Sequence, residues 1–360
     1  MKISTIKFQE LMSKAIKGVG NNKLISRTTC IAIKVQDNKL TLITSDNDNF
    51  LVVSEEVESE DFYAVVQAEQ FSKLIMRTTS ESITMTLDNN IVEVHGNGTH
   101  KFPVEIDVNT LEMVQYPEPH LDIMNTQQTS IGKIDSATIK TILGAVKPSL
   151  AIGNDIPPYE NYYLGDVVLA SDTFKISCLN KKVTAAPILM SARLMELLDV
   201  YTGEKPLDIY KTNGKLLLVG DNYIVCGCVI ADIEKFAVDS ILGYMNNVYP
   251  NKCVLPKQEL IQLLDRLSLF VGAFDDGVIN IEFATDGLHV SSQKSDSVEV
   301  IPYVSSELTE PMVGRVYLEM FKTQVKAQTT ENVELYFGDD TSMKFVDSDI
   351  DVVSVVSLVK

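Results

Sequence analysis

Residues 8–20 read Phe8-Gln9-Glu10-Leu11-Met12-Ser13-Lys14-Ala15-Ile16-Lys17-Gly18-Val19-Gly20, and their reading decides how the whole chain is parsed. Phe8, Leu11, Met12, Ala15, Ile16 and Val19 fall on one face at the 3.6-residue period of a helix. Lys7, Glu10, Lys14 and Lys17 fall on the other, and Gly18 and Gly20 supply a stop. Downstream, Cys30-Ile31-Ala32-Ile33-Lys34-Val35 and Lys39-Leu40-Thr41-Leu42-Ile43 alternate at period two, as half-buried strands do. Asp37-Asn38 lies between them, and both residue types tolerate the positive φ of a tight hairpin. The unit is a short amphipathic helix followed by a meander.

This unit recurs six times, with helix anchors at Phe8, Phe71, Ile139, Leu194, Leu260 and Phe321. The matching turns are Asp37-Asn38, Asn89-Asn90, Gly165-Asp166, Asn213-Gly214, Asp286-Gly287 and Asp339-Asp340. Anchor-to-turn distances alternate between long and short, at 29, 18, 26, 19, 26 and 18 residues. Six half-repeats therefore pair into three tandem domains, and helices on antiparallel meanders make the class α+β. Irregular stretches at Tyr116–Gln128 and Met245–Asn251 are the expected connections. The expected domains are residues 1–118, 126–247 and 248–360. Pro148–Glu160, with Pro157-Pro158, reads as a long loop inside the middle domain.

The chain has 360 residues, 45% of them apolar, enough for sizeable cores. Its net charge of −18 argues against gripping nucleic acid over the whole surface. The distribution says more. Six windows around the helices (7–20, 67–79, 135–147, 191–201, 256–270 and 317–328) hold 12 Lys/Arg and 8 Asp/Glu. The rest of the chain holds 19 and 41, so the helices are mildly basic inside a strongly acidic protein.

Catalytic devices are not evident. There is no P-loop or G-x-G-x-x-G, and His95, His100, His120 and His289 form no ligand pair. Asp347-Asp349-Asp351 begins like a calcium loop but has Leu358 at its twelfth position, where a Glu is needed. Cys30, Cys178, Cys226, Cys228 and Cys253 have no metal spacing and read as free thiols in a reducing compartment. No cofactor and no metal is expected. With no secretory or membrane segment in the sequence, the expectation is a cytoplasmic protein without membrane contact. Arg266-Leu267-Ser268-Leu269-Phe270 looks like a linear peptide motif, but it continues the apolar face of the fifth helix and reads as core.

The order of several short motifs resembles one family, the bacterial and phage β sliding clamp, the β subunit of DNA polymerase III. Arg27-Thr28-Thr29 resembles the family's Arg-Pro-Thr after the first helix. Leu40-Thr41-Leu42 with Ser45-Asp46 resembles its L-x-L-x-x-T-D strand end. Tyr162-Tyr163-Leu164-Gly165 is similar to its Tyr-Tyr-Leu-Asn-Gly, and Leu169-Ala170-Ser171-Asp172 to its A-T-D-G. Asn247-Val248-Tyr249-Pro250 stands where the family has Arg-Val-Leu-Pro.

The resemblance implies a non-catalytic processivity factor: a head-to-tail homodimer whose six domains close a ring lined by twelve helices. Its implied partners are double-stranded DNA, held topologically and without sequence preference, a DNA polymerase, and a clamp loader ATPase. Helix placement nominates Lys14, Lys17, Arg27, Arg77, Lys140, Lys147, Arg193, Lys257, Lys322 and Lys326 as DNA-facing, with Arg27 and Arg193 also near family positions. The family holds partner peptides between its second and third domains. Carried over by motif, the residues are Leu164, Thr173, Phe174, Lys175, Ile176, Asn247, Val248, Leu358 and Val359. The chain departs where the family's His-Arg is Phe174-Lys175, where its G-R-F-P-D-Y is Glu234–Asp239, and where its M-P-M-R-L tail is Ser357-Leu358-Val359-Lys360. Such divergence from cellular clamps points to a phage. Two other readings stay open at this stage, a repeat scaffold for protein partners that never meets DNA and a β-rich hydrolase with acidic catalytic residues.

Overall fold

The computed structural model describes every residue except 23, 108–109, 127, 154–155, 213, 230–231, 272–276, 293–297, 339–340 and 360. All six anchors are at most 1% exposed, so each helix is seated by the residue that set its phase. The hairpin chemistry is also as read at Asp37-Asn38 (φ 52° and 62°) and Asn89-Asn90 (φ 46° and 62°). Both are two-residue connections, closing Gln36 on Lys39 and Asp88 on Ile91. Gly165-Asp166 instead lies in a three-residue connection between the paired Leu164 and Val168. Asn213 and Asp339-Asp340 lie outside the described residues.

The chain divides into two compact units, Met1–Ser136 with Arg193–Ile230, and Ala137–Ala192 with Ala231–Lys360. The boundaries fall inside the expected middle domain. In the first unit the helix Thr5–Ala15 packs beside Ala68–Arg77, and the Phe8 and Phe71 rings meet edge-on at 6.2 Å. Burying each of these phenylalanines contributes about 2–3 kcal/mol. A four-stranded antiparallel sheet runs in the order Lys2–Ser4, Ser82–Asp88, Ile91–His95, Thr99–Pro103. An eight-stranded sheet runs Phe62–Gln67, Cys30–Gln36, Lys39–Ser45, Asn49–Glu56, Tyr223–Cys228, Lys215–Val219, Leu207–Thr212, Gly132–Ile134.

The second unit has a nine-stranded sheet in the order Ile188–Ser191, Asn161–Leu164, Val168–Ser171, Lys175–Leu179, Val352–Ser357, Ser342–Asp347, Asn332–Phe337, Asn251–Pro256, Ser305–Glu307. Its four-stranded sheet runs Val298–Ile301, Leu288–Ser292, Val278–Phe283, Met312–Tyr317. The helices Lys257–Leu267 and Leu318–Ala327 share a core with stacked Phe283 and Phe337, 3.6 Å between centroids.

One joining rule builds both long sheets. The last meander strand of one half-repeat pairs with the last strand of another. Asn49–Glu56 meets Tyr223–Cys228 with Phe50 opposite Cys226, and Lys175–Leu179 meets Val352–Ser357 with Ile176 opposite Val355. Among the described residues, two equivalent strands are left at sheet edges: Thr99–Pro103 in the first unit and Val298–Ile301 in the second.

Several elements differ from the sequence reading. The third helix is α only over Ser136–Thr141, then widens into a π turn at Ile142–Val146. Ile142, Ala145 and Val146 are all buried, and the wider turn sets all three inward. Pro119–Met124 in the first connection and Val238–Met245 before the second are short helices. In 266–270, Leu267 is core, but Leu269 and Phe270 are 79% and 51% exposed, because the helix ends at Leu267 and the periodic face ends with it. Asp347, rejected as a calcium-loop start on sequence, ends the strand Ser342–Asp347. It is buried and its Oδ2 accepts from the Thr329 hydroxyl at 2.8 Å. No described helix is long and apolar enough to cross a membrane.

Candidate nucleic-acid and partner interfaces

The ten candidate DNA-facing cations fall into two groups. Lys17, Arg27, Arg77 and Lys140 are exposed and have no ion-pair partner among the described residues. Lys147 is exposed as well. Arg77 closes its helix, where a cation complements the negative C-terminal end of the dipole.

The others are half-buried or engaged. Arg193 Nε donates to Asp46 Oδ2 at 2.8 Å, and its Nη2 donates to the Lys17 carbonyl at 2.6 Å. Lys257 Nζ donates to the Gln328 carbonyl. Lys322 Nζ donates to Asp265 Oδ1 at 2.8 Å, and Lys326 lies 3.8 Å from the same oxygen. That hydrogen bond raises the Lys322 ammonium above the ordinary lysine range and holds Asp265 below the ordinary carboxylate range. Lys14 Nζ is 3.5 Å from the Thr202 hydroxyl. Asp265, one of the eight acidic residues counted in the helix windows, draws off the charge of Lys322 and Lys326. It sits on the fifth helix and takes up charge supplied by the sixth.

The candidate peptide residues are dispersed by burial. Leu164 is fully buried in its strand, with its carbonyl accepting from the Thr184 hydroxyl. Ile176 and Leu358 are each 8% exposed, and Leu358 belongs to the core around Phe321. Val248 is 94% exposed, while the Asn247 carbonyl accepts from Lys344 Nζ. Val359 N donates to the Arg315 carbonyl.

Phe174 is different. It is 57% exposed at the tip of a turn whose preceding residue, Thr173, has φ 77°. A β-branched residue in the left-handed region costs about 1–3 kcal/mol and must be held there. Asp172 does so, Oδ1 accepting from the Phe174 and Lys175 amides at 2.9 and 2.6 Å. Lys175 Nζ binds Asp172 Oδ2 at 3.2 Å and the Pro148 carbonyl at 2.7 Å, and Ser357 N donates to the Phe174 carbonyl.

The held ring lines a cavity of about 510 Å3 with Val271, Tyr317, Leu318, Glu319 and Met320. Motif matching found Phe174 and missed the others, because they come from two helix ends, one 97 and the other 143–146 residues downstream. The repeat carries a signal for them. In repeat phase Asp48 corresponds to Phe174 and Arg193 to Met320. One junction is therefore closed by the Arg193–Asp46 pair, while its counterpart has two apolar side chains around an opening. The first unit holds a second cavity of about 640 Å3, lined by Ile16, Val19, Thr29, Gln67, Glu69 and Lys73. In phase, Ile16, Val19, Thr29, Gln67 and Glu69 match Ser268, Val271, Gly277, Tyr317 and Glu319 of the first, so both cavities occupy one site of the repeated domain.

Repeated helices seated on meanders, joined strand to strand by one rule, define the class as the sliding-clamp type of α+β protein. Residues 1–122 match the family described as DNA polymerase III beta subunit, N-terminal domain. The structure is similar over 100% of the chain to the DNA polymerase sliding clamp of Bacillus subtilis (14% identity, TM-score 0.82, 98% of that chain covered). It is similar in the same way to the DNA polymerase III beta subunit of Thermotoga maritima (15%, 0.81, 98%) and that of Pseudomonas aeruginosa (11%, 0.82, 99%), again over 100% of this chain. No curated protein matches by sequence. The match to the DNA polymerase III beta subunit family is thus confined to the N-terminal 122 residues, and the chain as a whole has the fold of the sliding clamps it is similar to.

Proposed function

We propose that this protein is a DNA sliding clamp, a non-catalytic ring of two copies that encircles duplex DNA and tethers a polymerase to it. The observation that carries the reading is the pair of unused edges. Each junction within a unit joins the same two kinds of strand, and one strand of each kind, Val298–Ile301 and Thr99–Pro103, remains at a sheet edge. An exposed edge is a template for pairing with another chain. Val298 and Val300 are 57% and 48% exposed there, so a second copy covers apolar surface as well as backbone. Leu269 and Phe270 add further exposed apolar area in the same half-repeat.

On this reading the chain comprises three domains, 1–118, 126–247 and 248–360. The basic helices face the DNA. Lys17, Arg27, Arg77, Lys140 and Lys147 supply the lining charge, while the acidic remainder faces outward. A mildly basic lining suits sliding, because many tight phosphate contacts would anchor the ring and make it strongly salt-dependent. The Phe174 cavity takes a peptide segment of the polymerase or of the ATPase that loads the ring, and the divergence from cellular clamps fits a phage source. Light scattering tests the assembly: a mass near twice the 39.9 kDa of one chain supports it, and a monomer across micromolar concentrations overturns it.

A further inference from the structure

Resting on the reading of the Phe174 cavity as a peptide site, we propose that the segment it takes carries a basic side chain, Lys or Arg, beside its apolar anchor. Val271, Leu318 and Met320 give the cavity its apolar wall, and Phe174 and Tyr317 give it two aromatic rings. Aromatic faces attract cations as well as apolar groups. Among the described residues, Glu319 is the one charged side chain lining it. Its side chain is 74% exposed, and the cation beside it, Lys322 at 3.7 Å, is committed to Asp265 at 2.8 Å. Lys175, at the base of the Phe174 turn, is held by Asp172 and the Pro148 carbonyl.

The matching cavity of the first unit supplies the contrast. There Glu69 stands in the place of Glu319, and Lys73 neutralises it at 2.5 Å. The position of Lys73 corresponds to Thr323, which has no charge to offer. The Phe174 cavity therefore keeps a carboxylate at an aromatic rim without a dedicated cation, in a chain of net charge −18 that already attracts basic segments.

The test is fluorescence anisotropy on the full-length protein with two labelled probe peptides, Gly-Leu-Lys-Leu-Phe and Gly-Leu-Glu-Leu-Phe. The Lys probe is expected to bind about two- to fivefold more tightly at low salt, the range of an exposed ion pair. Glu319→Gln should remove the preference and Glu319→Lys should invert it. Equal binding of both probes, unaffected by either substitution but lost in Phe174→Ala, overturns the charge proposal and leaves the cavity reading standing. If neither probe binds, or if binding ignores Phe174→Ala, the cavity reading itself fails and the proposal falls with it.

Discussion

The Arg193 guanidinium lies 2.8 Å from the Asp46 carboxylate across a sequence separation of 147 residues. With its second contact, to the Lys17 carbonyl at a helix end, it fastens the fourth half-repeat to the first. A cation nominated for DNA is thus first a structural tie. Arg193→Ala is expected to lower stability by about 1 kcal/mol, discounted because the side chain is 39% exposed. That corresponds to a fall of roughly 2–4 °C in melting temperature. An unchanged melting curve would mean the pair is fully solvated.

Phe174 and Leu358, paired as peptide candidates by motif, separate by burial. Phe174→Ala should leave stability within about 0.5 kcal/mol of the parent, as exposed sites do, and abolish polymerase stimulation. Leu358→Ala removes a side chain 8% exposed in the core around Phe321 and should cost about 2–4 kcal/mol. Thermal melts and primer extension, run side by side, check both.

The joining rule fixes a register between copies. With Gly277 in the place of Thr29, Ser291 takes the place of Ile43; Ile43 faces Val52 and Ser291 faces Val298, so Val298 takes the place of Val52. Glu93 faces Lys101 as Leu217 faces Cys226, so Lys101 takes the place of Cys226. Val52 faces Ile224, whose place Thr99 takes, so Val298 should lie opposite Thr99 of a second copy. Thr99→Cys with Val298→Cys should give disulfide-linked chains on mild oxidation. Moving one cysteine to Glu299 turns the two thiols to opposite faces of the sheet and should abolish the link.

The placement of the cations divides their substitutions. Charge reversal of Lys17, Arg77 and Lys140 together should shorten residence on DNA without altering the melting curve. Substituting Lys257 or Lys322 should lower stability instead, because each satisfies a defined acceptor. A scaffold that never meets DNA would be indifferent to the first set.

His120 is 3% exposed, and burial pushes its imidazole below the ordinary histidine range. Protons then bind the unfolded chain more readily than the folded one. The contribution is fully present above the unfolded value of about 6.5 and is lost as pH falls through the lower folded value. Melting temperature should drop between pH 7.5 and 5.5, above the range where carboxylates such as Asp265 titrate. His120→Gln should flatten that limb.

Much of the fold was legible because its signals are local. Phe8 and Phe71 set helix phase, and Asp37-Asn38 and Asn89-Asn90 set hairpins, all within a few residues. The π turn at Ile142–Val146 was not legible, since an apolar stripe does not distinguish α from π winding. The joining of Asn49–Glu56 to Tyr223–Cys228 depends on strands far apart in sequence, which periodicity cannot pair. The site suffered for the same reason. Its rim is a strained turn at Thr173 and two helix ends, and only comparison of Asp48 with Phe174 and Arg193 with Met320 in phase would have shown an opening.

Retention on DNA of two topologies tests the central claim most directly. Protein loaded on a nicked circular plasmid should co-elute with it in gel filtration and leave within minutes when a restriction enzyme linearises the circle. Equal retention on circular and linear DNA, or none on either, would contradict a ring that holds DNA by encircling it.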